Sequence, residues 1–366
     1  MKILIGNIFD SSAKTIVNTV NCVGVMGKGI AEEFKKRYPE MFDEYVRLCQ
    51  MKEVRPGVPY LYTDIYGTSI INFPTKSHWK SPSKLSYITE GLEWFVQNYE
   101  RLGITSIAFP PLGCGNGGLK WELVGPLMYQ KLSSLPIEIE IYAPYGTKPE
   151  YLKHAFLSDP NNIATNDITG SRFFSFNPKW NVILYVVQEL AKQKYAYPVG
   201  RTIFQKICFI LTRIGIDTGF TFRKGAYGPY SEQVKDAIAI MSNTNLITEE
   251  SRGQMVSVNV TPKFCICNSQ FTQHDIQCAH RTIDLFLRIK DTAQAEMVAT
   301  VIFDYDTLLQ KNSLVTEMDV YNDILAWKPR WKGIEDTTIC DTIRNLSVLG
   351  WISPQYSPEL PCDPIF

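Results

Sequence analysis

Along the first 150 residues, short apolar and β-branched runs alternate with longer stretches whose apolar positions recur at helical spacing. Runs at 2–5, 15–21, 60–63, 69–73, 104–109 and 137–142 predict strands, since they are too short for helices and are bounded by turn formers. Stretches at 30–37, 40–50, 84–101 and 121–133 predict helices. Pro39 separates the first two, because a proline ring excludes the residue before it from helical geometry. This alternation predicts an α/β layer fold, a mixed sheet with helices on both faces. Further on the pattern lapses into turn residues such as Ser158-Asp159-Pro160 and Asn166-Asp167, which predict a linker. Helical spacing then dominates at 180–194, 202–214, 232–241, 280–289, 292–309, 318–327 and 337–349, with one strand-like alternation at 255–260. The expected organisation is an α/β domain over 1–155, a linker over 156–178 and a mainly α domain over 179–366.

Composition narrows the function more than the fold. The 366 residues, 45% hydrophobic and 20% charged, exclude disorder or coiled coil as a description of the whole chain. Basic and acidic side chains balance at 37 each, so no global field draws the protein to nucleic acid or to an anionic membrane. Any polyanion must be held locally. Nine cysteines and no signal-like segment after Met1 lead us to expect a reducing, cytoplasmic setting. Apolar runs fall well short of the roughly 20 residues a membrane helix needs, so no membrane partner is expected.

Three loops carry candidate chemistry. In the first, the strand at 15–21 passes through Gly24, Gly27 and Gly29 directly into a helix beginning at Ile30. Glycines let backbone N–H groups approach a ligand, and a helix start adds partial positive charge, which suits a phosphate; a plain tight turn is the alternative. The second, Pro110-Pro111-Leu112-Gly113-Cys114-Gly115-Asn116-Gly117-Gly118-Leu119, follows the strand at 104–109. Two such loops at strand carboxyl ends would share one sheet edge and could grip a diphosphate from both sides. Neither has Walker or G-x-G-x-x-G spacing, which disfavours triphosphate hydrolysis and dehydrogenase chemistry.

The third loop, Thr75-Lys76-Ser77-His78-Trp79-Lys80-Ser81-Pro82-Ser83-Lys84, lies in a stretch without a carboxylate from Ile65 to Thr89. It is a local cationic patch with Trp79 available to stack on a base. A lysine amine freed of its proton can also attack a sugar's anomeric carbon, whereas a solvated surface charge is the bland alternative. His78 could serve as a general acid or as a binding residue. Cys265, Cys267, His274, Cys278 and His280 do not have zinc-knuckle spacing, and Cys114 has no histidine nearby in sequence. No metal and no cofactor are expected.

Gly6-Asn7-Ile8-Phe9, then Asn18-x-x-Asn21 leading to Gly27-x-Gly29-Ile30-Ala31, then Pro111 to Leu119, together resemble the macrodomain family of ADP-ribose-binding modules over residues 1–150. The resemblance implies that Asn7 and the Ile8 backbone meet adenine and that Asn21 orients the distal ribose. It places Val25, Met26, Gly27, Lys28, Gly29, Ile30 and Ala31 around the phosphates and distal ribose. Thr75 would touch ADP-ribose, and Gly113, Cys114, Gly115, Asn116, Gly117, Gly118 and Leu119 would close over the diphosphate. Phe73-Pro74-Thr75-Lys76, followed by His78-Trp79, resembles the segment bearing a nucleophilic lysine in glycohydrolytic macrodomains, most of all in the DarG family of antitoxins. That likeness implies Lys76 as catalytic residue and His78, Trp79 and Lys80 as DNA contacts. The substrate implied is ADP-ribosylated single-stranded DNA, modified on thymidine, with ADP-ribose as product. A eukaryotic relative pairs its lysine with an aspartate in the second glycine loop, and no acid occurs at 113–119 here.

Further along, Phe204-Gln205-Lys206 and Tyr227-Gly228-Pro229-Tyr230-Ser231 are similar to Panacea-type domains associated with antitoxins. This implies a module that binds a cognate DarT-like ADP-ribosyltransferase toxin. Residues 340–352 could form a helix and wing, without a basic face. Two alternatives stay open: a non-hydrolytic ADP-ribose reader, or a protein that only sequesters the toxin.

Overall fold

The computed structural model describes residues 1–65, 67–162, 176–252, 255–265, 271–333 and 335–361, so most of the expected linker lies outside the described residues. The chain divides into two compact units, Met1–Phe176 with Asp236–Ser251, and Asn177–Lys235 with Arg252–Phe366.

In the first unit the elements follow the order β1 (Lys2–Leu4), β2 (Thr15–Val20), α1 (Gly29–Arg37), α2 (Pro39–Gln50), β3 (Tyr60–Thr63), β4 (Ser69–Pro74), α3 (Leu85–Asn98), β5 (Ser106–Phe109), α4 (Trp121–Leu132), β6 (Glu138–Tyr142) and α5 (His154–Leu157). The six strands form one sheet in the order β1-β6-β5-β2-β4-β3. β3 runs antiparallel to β4, and the other pairings are parallel. Parallel pairing needs crossover helices, which bury both faces, so the central strands carry apolar residues at consecutive positions. Val17, Ile71, Phe73, Ile107 and Phe109 pack with α3 and α4 on one face. Ile16, Val20, Ile70 and Ala108 pack on the other with Phe34 of α1 and Met41 and Tyr45 of α2. Between β2 and β4, which pair from Thr15↔Ser69 to Val20↔Pro74, a buried Asn18–Asn72 side-chain hydrogen bond of 2.9 Å crosses the sheet.

This topology positions the site. β5, β2 and β4 are adjacent and parallel, so their carboxyl ends at Phe109, Val20 and Pro74 lie on one edge. The three loops singled out in the sequence begin there. The segment Asp236–Ser251, drawn from far downstream, also belongs to this unit.

The remaining elements are α6 (Trp180–Lys192), α7 (Arg201–Arg213), β7 (Arg223–Gly225), β8 (Gly228–Tyr230), α8 (Glu232–Asn243), β9 (Ile247–Arg252), β10 (Met255–Val260), α9 (Gln273–Leu287), α10 (Thr292–Leu309), α11 (Glu317–Trp327) and α12 (Asp336–Val348). The second unit is thus mainly helical, with Phe209 of α7 against Phe303 of α10 and Trp180 of α6 stacked on Phe220. α9 starts seven residues before the expected 280, because Thr272 and Asp275 form a reciprocal capping box that fixes its first turn. The antiparallel β7–β8 pair was not expected from the sequence. The helix-and-wing expectation for 340–352 is corrected: α12 is followed by a turn, and no strand occurs among the described residues there. No described helix is long and apolar enough to cross a membrane.

Candidate active site

The first loop is held open by its own side chains. Asn21 accepts from Val23 N–H at 3.0 Å and donates to the Val25 carbonyl at 2.5 Å, while the Tyr45 hydroxyl donates to Asn21 oxygens at 2.9 and 3.0 Å. Asn21 is buried and spends its side chain on the loop. Met26 also turns inward, into the core beside Phe34 and Tyr45. Val25, Gly27, Lys28 and Gly29 remain exposed, with Ile30 and Ala31 half-buried, so the loop offers backbone to a ligand and anchors itself through Asn21 and Met26.

The lysine loop is tied to the first by backbone and thiol. Thr75 N–H donates to Val20 O at 3.0 Å, and Cys22 N–H donates to Ser77 O at 3.3 Å. The Cys22 thiol donates to the Lys76 carbonyl at 3.3 Å. Burial pushes that thiol up to about 12, so it stays protonated as a donor. Thr75 is buried and Lys76 half-buried.

The Lys76 amine donates to the backbone carbonyl of Asn116, which brings the lysine to the second glycine loop. A methyl on Gly29 would meet the Asn116 side-chain amide at 3.1 Å. Asn116 therefore touches both neighbours, and the three loops converge around it. In the second loop Gly113, Cys114, Gly117 and Leu119 are buried, whereas Gly115, Asn116 and Gly118 are exposed. Desolvation pushes the Cys114 thiol up to about 12, which removes it as a nucleophile.

Beyond Lys76, His78 stacks on Trp79 with ring centroids 5.6 Å apart, and the Lys80 amine lies 5.0 Å from the Trp79 centroid. Trp79 keeps 47% of its surface exposed, an apolar plate with the Lys80 amine at its rim. The stretch without acids in sequence does not stay so in space. Burial lowers the Lys84 amine, partly offset by the carboxylate of Glu249 from the downstream segment.

A cavity of about 390 Å³ opens beside these loops, lined by Gly6, Asn7, Ile8, Phe9, Gly29, Ile30, Glu33, Arg37, Pro110, Pro111, Tyr142, Ala143, Pro144 and Tyr145. It gathers the expected Asn7, Ile8, Gly29 and Ile30. Asn7 accepts from Phe9 N–H at 3.2 Å, fixing the turn that presents the Ile8 backbone. Sequence reasoning missed Arg37, whose guanidinium sits 4.3 Å from the Phe9 ring centroid. The signal was present: Gly29, Ile30, Glu33 and Arg37 recur at three- and four-residue spacing and so share one face of α1. Tyr142 ends β6 and Tyr145 lies in the turn that follows it, which no motif marked.

In the second unit the two pieces of the downstream pattern meet. Gln205 exchanges hydrogen bonds with the Ser231 backbone, 2.8 Å to its carbonyl and 3.2 Å from its N–H. The buried Lys206 amine donates to the Tyr227 and Pro229 carbonyls, so the pair pins the β7–β8 hairpin. Desolvation brings Lys206 down to about 7. Among the described residues no cluster could hold a metal ion, and Cys267 lies outside them.

A mixed six-stranded sheet with ligand-sized loops on its parallel carboxyl edge defines a macrodomain, and residues 17–128 match the Macro domain family. Through this unit the chain belongs to the macrodomain family. Over 243 residues it is 38% identical to a DNA ADP-ribosyl glycohydrolase of Mycobacterium tuberculosis, covering 63% of this chain and 64% of that protein. The chain therefore spans just under two thirds of the length of that curated relative. It is 41% identical over 157 residues to a DNA ADP-ribosyl transferase–DNA ADP-ribosyl glycohydrolase fusion protein of Thermosipho africanus, covering 38% of this chain and 40% of the relative. The solved macrodomain of M. tuberculosis DarG is 47% identical, covering 39% of this chain and 97% of that one, with a TM-score of 0.37.

Proposed function

We propose that the protein is a DNA ADP-ribosyl glycohydrolase antitoxin. Its first unit removes ADP-ribose from thymidine in single-stranded DNA, with Lys76 as nucleophile. Its second unit binds and neutralises a cognate DarT-like ADP-ribosyltransferase. The observation that carries the reading is the Lys76 amine held on the Asn116 carbonyl, where the three loops meet and beside the cavity that suits an adenosine. The names of the mycobacterial and Thermosipho relatives support ADP-ribosylated DNA as the substrate, and the transferase half of the fusion's name supports an ADP-ribosyltransferase as the partner.

The chemistry follows from the placement. ADP-ribose enters with its adenine near Asn7, the Ile8 backbone and Phe9, and its diphosphate between the two glycine loops. The distal ribose then lies toward Lys76. The unprotonated amine attacks the anomeric carbon, and the glycosidic bond breaks with its electron pair going to the departing base, which takes up a proton. Loss of a proton from nitrogen and opening of the ribose ring leave an imine. Water adds to the imine carbon, the amine leaves with a proton, and the ring closes to free ADP-ribose. Trp79 offers a face for a base of the strand, with Lys80 at the rim for phosphate.

Turnover of an ADP-ribosylated oligonucleotide by Lys76→Arg tests the assignment. Arginine keeps the charge and cannot form an imine, so a loss of about 100-fold or more in kcat is expected with ADP-ribose affinity largely kept. Equal rates for variant and wild type would remove Lys76 from the mechanism. No turnover by wild type with retained ADP-ribose binding would make the protein a reader.

A further inference from the structure

Residues 75–84 leave the sheet, carry Lys76 and must enter α3 at Leu85. The residue at the cap position of α3 is Lys84, which makes no side-chain capping bond. A helix start leaves backbone N–H groups without intrahelical partners, and a lysine cannot accept from them. The missing acceptor arrives from 158 residues away: Leu85 N–H donates to the side-chain oxygen of Asn243 at 2.7 Å. The amide of the same side chain donates to the Ser83 carbonyl at 3.1 Å and to the Ala239 carbonyl of its own helix at 2.8 Å. Asn243 is buried, and it grips the backbone on both sides of Lys84.

From this grip a path of contacts leads to the lysine amine. Ser83 N–H donates to the Gly117 carbonyl at 2.9 Å. Gly117 lies so close that a methyl there would sit 2.4 Å from the Ser83 hydroxyl oxygen and 3.8 Å from the Lys76 side chain. Asn116, the next residue back, supplies the carbonyl that receives Lys76. Ala239, one turn before Asn243, stands 3.8 Å from where a methyl on Gly118 would be, and Ile240 packs against the macrodomain core.

We infer that Asn243 is a positioning residue for Lys76, and that the segment Asp236–Ser251 completes an active unit whose other residues lie before Phe176. Asn243 fixes Ser83, Ser83 fixes Gly117, and the second glycine loop then presents the Asn116 carbonyl where the amine needs it. The inference rests on the proposed lysine chemistry for its kinetic consequence, and on geometry alone for its structural one.

The test uses the full chain with Asn243→Ala and Asn243→Asp, an ADP-ribosylated oligonucleotide as substrate, and amide hydrogen exchange. Asn243→Ala is expected to lower kcat about 10-fold or more, by a clearly larger factor than it raises KM, because the position of the amine suffers more than the grip of the loop on ADP-ribose. Asn243→Asp keeps the acceptor for Leu85 N–H and loses the bond to Ser83, so an intermediate kcat is expected. Exchange should quicken over 83–85 and 115–118 in Asn243→Ala. A kcat within 2-fold of wild type, or a rise in KM alone, would overturn the assignment. Should wild type itself show no turnover, the glycohydrolase reading fails, and the positioning inference is decided by exchange: unchanged protection over 83–85 and 115–118 overturns it.

Discussion

Gly117 shows how tightly single residues are specified at this site. Its backbone serves two neighbours, receiving the Ser83 N–H and following the carbonyl that holds Lys76. A methyl added there meets the Ser83 hydroxyl at 2.4 Å and its Cβ at 3.0 Å, closer than van der Waals contact allows. Rotating the Ser83 hydroxyl away does not relieve the contact with its Cβ, which is fixed by the Ser83 N–H bond to the Gly117 carbonyl. Gly117→Ala is therefore expected to push the second glycine loop outward. ADP-ribose affinity measured by calorimetry should fall about 10-fold or more, equivalent to about 1.4 kcal/mol. Unchanged affinity would mean that the loop takes no part in binding. Asn21 carries a related lesson, because its side chain shapes the first glycine loop through Val23, Val25 and Tyr45. A residue can thus matter to a ligand through the backbone it holds.

At the scale of elements, β4 and α3 set where the lysine loop begins and ends. Gly91 of α3 faces the Phe73 ring of β4 so closely that a methyl would sit 2.3 Å from it. Phe73 is fully buried and lies three residues before Lys76, so it has little room to retreat. Gly91→Ala should overpack this contact, costing about 1–3 kcal/mol, despite alanine's better helix propensity. A denaturant melt reads this directly, and a neutral or stabilising result would show that the helix can shift away from the sheet.

The sheet and its helices were legible because consecutive apolar positions in β2, β4 and β5 and the 3.6-residue spacing of the helices are local signals. Predicted strands at 60–63 and 255–260 coincide with β3 and β10 and the predicted helix at 292–309 with α10; most other ends move by a residue or two, but α3 ends at Asn98 rather than 101 and α9 begins at Gln273 rather than 280. Convergence of Gly27–Gly29, Lys76 and Asn116 was legible only as three loops on one edge. Asn243 was invisible, since nothing local marks an asparagine near the end of a helix as the cap of another helix 158 residues upstream. The β7–β8 hairpin was equally hidden, because its turn is pinned by Gln205 and Lys206 from α7.

For the whole molecule, a net charge of zero conceals strong local imbalances. In the first unit Lys84 is offset by Glu249 from distant sequence. In the second, Lys224 bridges Asp304 at 2.9 Å and Asp323 at 2.7 Å. Asp304 is fully buried, and desolvation, with a hydrogen bond to Asp323, raises its carboxyl to about 7, while Asp323 is held below the usual range by that same bond. The folded state thus binds a proton at Asp304 that the unfolded chain releases near pH 4. Stability from this group is fully present below about pH 4 and is lost as pH rises through about 7. Lys206 has the opposite displacement, down to about 7, so its contribution is present above its unfolded value near 10.5 and is lost as pH falls through 7. Both losses meet near neutrality. A side-chain amide in place of the carboxyl cannot ionise, so Asp304→Asn should raise the melting temperature of the second unit more at pH 8 than at pH 5. On the order of 1–2 kcal/mol would separate the two conditions, roughly 2–8 °C for a unit of this size. The comparison is made on the full chain, following both transitions by calorimetry and subtracting wild type at each pH. An equal effect at pH 5 and pH 8 would show that Asp304 is already ionised in the folded protein, with Lys224 outweighing its burial.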